Sequence, residues 1–163
     1  MQATDILKLY KYEDAMNTAL KTAIEALAIT AVRQRDSDVN STPRARIQFA
    51  MSGDPFENFH RMPNGTKRGQ AFRGNLLLDA ITNRTREAEG AEPGHATIVA
   101  KLRNMVYSFI ENINPALPYH AIMRVLEGAT IPGINAEENQ DMSTINFTVD
   151  FCIRTDAWPN NVS

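Results

Sequence analysis

The chain has 163 residues, of which 43% are hydrophobic and 22% are charged, and its formal net charge is -2 at pH 7. This size and balance predict one globular domain over residues 1–163 with a sizeable apolar core. A charge close to zero does not favour a nucleic-acid-binding protein, because domains that grip phosphates usually carry a clear basic excess. One cysteine, Cys152, and three histidines are too few to predict a disulfide or a metal site, and we expect no cofactor.

The start of the chain gives no targeting signal. Its first five residues, Met-Gln-Ala-Thr-Asp, lack the basic and apolar regions of a signal peptide. No apolar run approaches the roughly 20 residues that a membrane helix needs. We therefore expect a protein that is made and assembled in the cytoplasm and does not contact a membrane.

The first half of the chain predicts one helix and two strands. Apolar residues spaced three and four apart indicate an amphipathic helix over residues 12–32. Residues 44–52 alternate between apolar and polar side chains and predict a strand. Residues 53–69, with two prolines and an Asn-Gly pair, predict a long loop before a second strand over residues 71–82. Three consecutive leucines at 76–78 indicate that this second strand is covered on both faces for part of its length.

The second half predicts one helix and two further strands. Residues 84–94 form a charged connection, and the helical spacing that follows predicts a helix over residues 95–113 that ends before Pro115. A third strand is expected over residues 119–131 and an acidic loop over residues 132–141. The clearest pattern is the last strand, residues 142–155, where apolar and polar residues alternate throughout.

The order of these elements is α-β-β-α-β-β. It predicts an α+β fold in which a four-stranded, mainly antiparallel sheet of two hairpins packs against two helices.

No motif strongly predicts catalysis or metal binding. Asp36, Asp38 and Asn40 have the opening spacing of an EF-hand loop, but Ser41 stands where the loop needs glycine. Ile47 stands where it needs a bidentate glutamate. We therefore predict no calcium site.

The three histidines also lack a catalytic context. His60, His95 and His120 fall in a predicted loop, at a helix start and at a strand start, with no nucleophile motif beside them. We predict no catalytic residue. The alternative is a cytosolic enzyme or ligand-binding domain whose pocket lies between sheet and helices, with His120 and either Glu127 or Asp150 as its polar groups.

Two charged clusters and one aromatic residue are candidates for contacts between subunits. The basic cluster is Arg61, Lys67, Arg68 and Arg73, the acidic cluster is Glu137, Glu138 and Asp141, and the aromatic residue is Trp158. One interpretation is two solvated loop tips and a tryptophan that packs in its own core. The other is head-to-tail complementarity, in which the basic loop of one copy meets the acidic loop of the next around a ring.

The arrangement resembles the tail terminator proteins of long-tailed bacteriophages, also called minor tail or head-tail joining proteins. The resemblance covers the first helix, the hairpin over residues 44–82, the second helix and the final hairpin. Within that last hairpin it lies in three runs: Met123-Arg-Val-Leu-Glu-Gly128, Glu137-Glu-Asn-Gln-Asp141 and Asn146-Phe-Thr-Val-Asp-Phe-Cys-Ile-Arg154.

The resemblance implies a small, non-enzymatic subunit of a hexameric ring on the head-proximal end of the tail tube. Such a ring ends tube polymerisation, contacts the tube protein and the neck or head-completion proteins, and lets genomic DNA pass without binding it specifically. The expected location is the virion. Tail tube, head-completion and baseplate proteins are also small β-rich ring formers and stay open as alternatives.

Overall fold

The computed structural model describes residues 3–33, 40–51, 57–61, 68–116 and 120–154, which form three helices and seven strands. The helices are α1 (Ala3–Glu25), α2 (Arg84–Ala88) and α3 (His95–Ala116). The strands are β1 (Thr30–Arg33), β2 (Arg44–Met51), β3 (Glu57–Arg61), β4 (Arg68–Asn83), β5 (His120–Glu127), β6 (Ile131–Asn135) and β7 (Gln140–Arg154). The predicted α+β class is confirmed, but the sheet is mixed and has seven described strands where four were predicted.

Two long strands form the centre of the sheet. β4 and β7 pair antiparallel from Gly69 opposite Arg154 to Asn83 opposite Gln140. On the other edge of β4, β3 and β2 pair with successive parts of the strand, and β1 adds parallel to β2. On the other edge of β7, β6 pairs with its first residues and β5 with its later ones. The antiparallel pairings of β2 with β4 and of β5 with β7 agree with the two predicted hairpins.

The core lies between one face of the sheet and the two long helices. Helix α1 contributes Met16, Leu20 and Ile24, which recur every four residues and therefore lie on one helix face. Helix α3 contributes Ile98 and Leu102 in the same way. The sheet supplies alternate residues of its central strands to the same cluster: Ile47, Phe49, Phe72, Leu76, Leu78, Ile145, Phe147 and Val149. The alternation predicted for the last strand is thus confirmed over its described side chains.

The first helix ends earlier than its apolar spacing indicated. Residues 12–32 were predicted to be helical, but α1 ends at Glu25 and Thr30–Arg33 is a strand. Ala28 has a φ of 61°, a left-handed conformation that commonly terminates right-handed helices. The residues that follow include three β-branched side chains, which favour a strand once a partner is present. Pairing with β2 provides that partner.

Three predicted connections contain regular structure. The predicted loop 53–69 includes β3 and the start of β4, the connection 84–94 includes α2, and the acidic loop 132–141 includes most of β6. The third strand accordingly ends at Glu127 and not at residue 131. The short strands depend on backbone pairing with β4 and β7 more than on a pattern of their own, which explains why the sequence did not reveal them. Helix α3 continues one residue past Pro115, a difference that is common at helix ends.

The second face of the sheet differs from the first. Leu76 and Leu78 are buried under the helices, whereas Leu77 points to the opposite face and is only half-buried. On that face Arg46 pairs with Asp79 at 3.1 Å, and the hydroxyl of Thr144 donates to Asp79 at 2.7 Å. Among the described residues, α1 and α3 both pack on the Leu76 face and provide the one helical cover that was expected, whereas no described helix covers Leu77.

Candidate subunit interface

Strand β6, which we call the β6 arm (Ile131–Asn135), exposes two large apolar side chains. Ile131 is 63% exposed and Ile134 is 65% exposed. Ile131 pairs with Thr144 and Ile134 with Asp141, and these partners are an odd number of residues apart on β7. The two isoleucines therefore point to opposite faces of the sheet. Pro132, between them, has no N–H to offer a further strand, so a partner of this arm is held by side chains more than by backbone pairing.

The acidic turn, residues 136–139, joins the arm to β7 and is fastened to the start of α2. The backbone N–H of Arg84 donates to the carbonyl of Asn139 at 2.9 Å. The side-chain amide of Asn139 donates to Thr85 Oγ1 at 2.7 Å, and that of Asn83 donates to the carbonyl of Glu138 at 3.4 Å. These bonds hold the arm and the turn in one position relative to the sheet.

One charge pair at this corner, Arg84 with Asp141, lies within the chain. Arg84 donates to Asp141 Oδ1 from Nη2 at 2.7 Å and from Nε at 3.1 Å. The hydrogen bond from Arg84 holds the pKa of Asp141 below its ordinary value. Burial lowers the pKa of Arg44, and the positive charge of Arg46 lowers it further, whereas the negative charge of Glu138 opposes both effects. Glu138 is therefore close enough to Arg44 to act on it electrostatically.

His95 ties helix α3 to the two central strands. Its Nδ1 lies 2.8 Å from Thr82 Oγ1 on β4, and its Nε2 lies 2.7 Å from Ser143 Oγ on β7. Its backbone N–H donates to the carboxylate of Glu87. An open pocket of about 420 Å³ lies here between α3 and the arm. In a serine hydrolase a carboxylate would hold Nδ1 and stabilise the imidazolium, but here an uncharged hydroxyl holds it. The contacts of His95 therefore fit a structural role between α3 and the sheet better than activation of Ser143 as a nucleophile.

A second depression, which we call the helical groove, lies between the end of α1 and the middle of α3. It has a volume of about 420 Å³, and the residues that line it are Ala23, Leu27, Lys101, Asn104, Met105, Ser108 and Phe109. Leu27 and Phe109 are half-buried, so their apolar surface is only partly covered. Lys101 is exposed and brings a positive charge to an otherwise uncharged lining.

The structure shows the partners of several predicted interface residues. Arg73 forms a bidentate pair with Asp150, at 2.7 and 3.1 Å, within the same chain. Arg61 ends β3, where its backbone pairs with that of Arg68 on β4. Glu137 and Glu138 are exposed, and Asp141 is paired with Arg84. Two candidates lie outside the described residues: Lys67 and Trp158.

The two carboxylates of the predicted alternative pocket lie on opposite faces of the sheet. The carboxylate of Glu127 accepts a hydrogen bond from Tyr107 Oη at 2.7 Å and lies 2.5 Å from Arg103 Nε. The hydrogen bond from Arg103 lowers the pKa of Glu127 most, and the hydrogen bond from Tyr107 lowers it further. Glu127 pairs with Phe147 and therefore lies on the face of the sheet that the helices cover. Asp150 is an odd number of residues from Phe147 on β7, so it lies on the opposite face. The backbone of His120 pairs with Ile153 in β5.

The described residues offer neither a metal site nor a membrane helix. In the part of the chain that the structure describes, no group of three or more His, Cys, Asp or Glu residues is placed to hold a metal ion. None of the described helices is long and apolar enough to cross a membrane. No protein-family model and no curated protein matches the chain.

Proposed function

We propose that this protein is a structural subunit of a bacteriophage virion and forms a ring at the head-proximal end of the tail tube. The ring ends tube polymerisation and joins the tail to the neck and head. The observation that carries the proposal is the β6 arm, because it presents Ile131 and Ile134 to solvent on opposite faces of an edge strand. Two large, mostly exposed apolar side chains on one short, firmly held strand support a surface that another protein covers.

The resemblance in sequence supports the position in the virion. The two long helices and the pairings of β2 with β4 and of β5 with β7 are compatible with the helices and hairpins on which the tail terminator resemblance rests. A net charge of -2 suits a channel through which genomic DNA passes without adhering, because it gives no general attraction to phosphates. Neither point depends on catalytic residues.

One observation favours a second candidate, a small-ligand site. The pocket between α3 and the arm holds an imidazole and a hydroxyl, those of His95 and Ser143. Both ring nitrogens of His95 already lie within hydrogen-bond distance of hydroxyl groups, which leaves the ring no vacant position for a ligand. We therefore place the ring subunit first.

Tube assembly in vitro tests the proposal. The tail tube subunit of the same phage is polymerised with and without this protein, and tube lengths are measured by electron microscopy. We expect tubes that shorten as the proportion of this protein rises and that carry a ring at one end. Unchanged tube lengths and bare ends would contradict termination, and rings on a baseplate or head complex instead would assign the subunit to another position.

A further inference from the structure

On the basis of the proposed ring function, we infer that the β6 arm of each copy docks in the helical groove of the next copy and that this contact closes the ring. The occupant of the groove is thus a second copy of this chain. The arm offers Ile134, which lies on the helical face of the sheet because it pairs with Asp141, and the groove is lined mainly by carbon-rich side chains, those of Leu27, Met105 and Phe109. Docking removes apolar surface from water on both partners.

The charges beside these apolar surfaces are complementary. Glu137 lies three residues after Ile134 in the acidic turn and is exposed. Lys101 lines the groove and is exposed. When the arm lies in the groove of a neighbour, the acidic turn reaches the rim where Lys101 provides an opposite charge. Pairing of this kind mainly fixes orientation and partner choice.

The arrangement of the two surfaces suits a ring. The arm follows the outer edge of β7, whereas the groove lies between α1, which packs on β1 and β2, and α3, which packs on β4, β5 and β7. The arm and the groove are different surfaces, so in the proposed contact each copy docks its arm in one neighbour and receives the arm of another, head-to-tail. A head-to-tail contact produces either a closed ring or an open filament, and the rotation between neighbours decides which.

Reciprocal charge reversal tests the contact. The variants are Glu137→Lys and Lys101→Glu, with Glu89→Lys, an exposed reversal on the far end of α2, as the matched control. Ring content is measured by light scattering at low ionic strength, where exposed charges are least screened. We expect each test variant alone to need at least about tenfold more protein to form rings.

Mixing the two variants makes the test specific. In an equimolar mixture, the basic arm of the Glu137→Lys variant meets the acidic groove of the Lys101→Glu variant. The unchanged arm of the second variant meets the unchanged groove of the first, so alternating rings are expected to form again. Rings that form in the mixture at a protein concentration at which neither variant alone forms them support docking of the arm in the groove. Failure of the mixture to restore rings overturns it.

A second pair of variants tests the apolar part. Ile134→Ser removes an exposed side chain of the arm, and Leu126→Ser removes one of β5 that is 47% exposed and lies outside the arm. We expect loss of rings only with the first. If rings form equally well with the wild type, Ile134→Ser and both charge variants, this contact is wrong but the ring function stands. If the wild-type protein forms no ring even with the tube, the ring function itself is wrong.

Discussion

Nε2 of His95 lies 2.7 Å from Oγ of Ser143, which joins the first turn of α3 to the strand that carries the β6 arm. The other ring nitrogen lies 2.8 Å from the hydroxyl of Thr82 on β4. Thr82 is fully buried, so water cannot readily replace its bond to the ring, whereas Ser143 is 6% exposed and borders the open pocket beside the arm. The imidazole therefore fixes the helical layer, which forms the groove, relative to the root of the arm.

Removing this bond should destabilise the protein. Ser143→Ala leaves a ring nitrogen of His95 without its hydroxyl partner, and we expect a loss of about 1–2 kcal/mol in the free energy of unfolding. Urea denaturation measures this loss. Thr97→Ala, at an exposed position of the same helix, is the control and should change stability by less than about 0.5 kcal/mol. Equal effects of the two substitutions would mean that the bond contributes nothing.

Stability should fall in acid through two carboxylates. Hydrogen bonds from Arg84 to Asp141 and from Arg103 and Tyr107 to Glu127 lower the pKa of each carboxyl in the folded protein. The unfolded chain then binds protons more readily than the folded one, so this stabilisation is complete above about pH 5 and is lost as pH falls through the lowered values.

The measurement is the urea midpoint as a function of pH between about 6 and 3. Asp141→Asn and Glu127→Gln cannot titrate, and each should show a shallower decline than the wild type. Parallel declines in all three proteins would contradict the assignment of acid sensitivity to these pairs.

Gly74 lies where a side chain would collide with the core. A β-carbon there would be 2.5 Å from Cζ of Phe49, whose ring is itself buried and has little room to move. We expect Gly74→Ala to lower the free energy of unfolding by about 1–3 kcal/mol. At Gly133 the nearest atom to such a carbon is 3.9 Å away, so Gly133→Ala should be nearly neutral. Thermal unfolding of both variants checks this, and an equally stable Gly74→Ala protein would refute the collision.

Ala28 should be improved by glycine. Its φ of 61° is unfavourable for a residue with a β-carbon but not for glycine. We expect Ala28→Gly to raise the free energy of unfolding by about 0.5–1 kcal/mol, even though glycine usually destabilises. Ala100→Gly, at an exposed position within α3, should lower it by about the same amount. A loss of stability in both variants would show that the left-handed conformation does not limit stability.

The sequence revealed the elements whose own patterns are strong. Helix α3 and strands β2, β4 and β7 have long runs in which apolar residues recur at helical or alternating spacing. The spacing is regular because each of these elements turns one face to the same core. The boundary at Ala28 was missed because the apolar spacing of α1 continues through residues that the sheet recruits as β1. Only the tertiary pairing with β2 decides that competition.

The candidate site was harder to predict. The β6 arm contains Pro132 and Gly133, residues that usually indicate a loop, and its strand character comes from pairing with β7. The signal that could have identified it is the presence of Ile131 and Ile134 in a segment otherwise rich in polar residues. The contact between His95 and Ser143 joins residues 48 positions apart and has no local signature. The sequence showed that residues 132–141 form an acidic segment. It could not show that Asp141 pairs with Arg84, because only the fold brings these two residues together.

The ring function is best tested by the solution mass from light scattering, measured on the purified protein alone and again with the tail tube subunit. We expect a mass several times that of the 18.2 kDa chain, as a ring that forms alone or on the tube. A strict monomer in both conditions, with no association with the tube, would contradict the ring function and direct attention to the pocket beside His95.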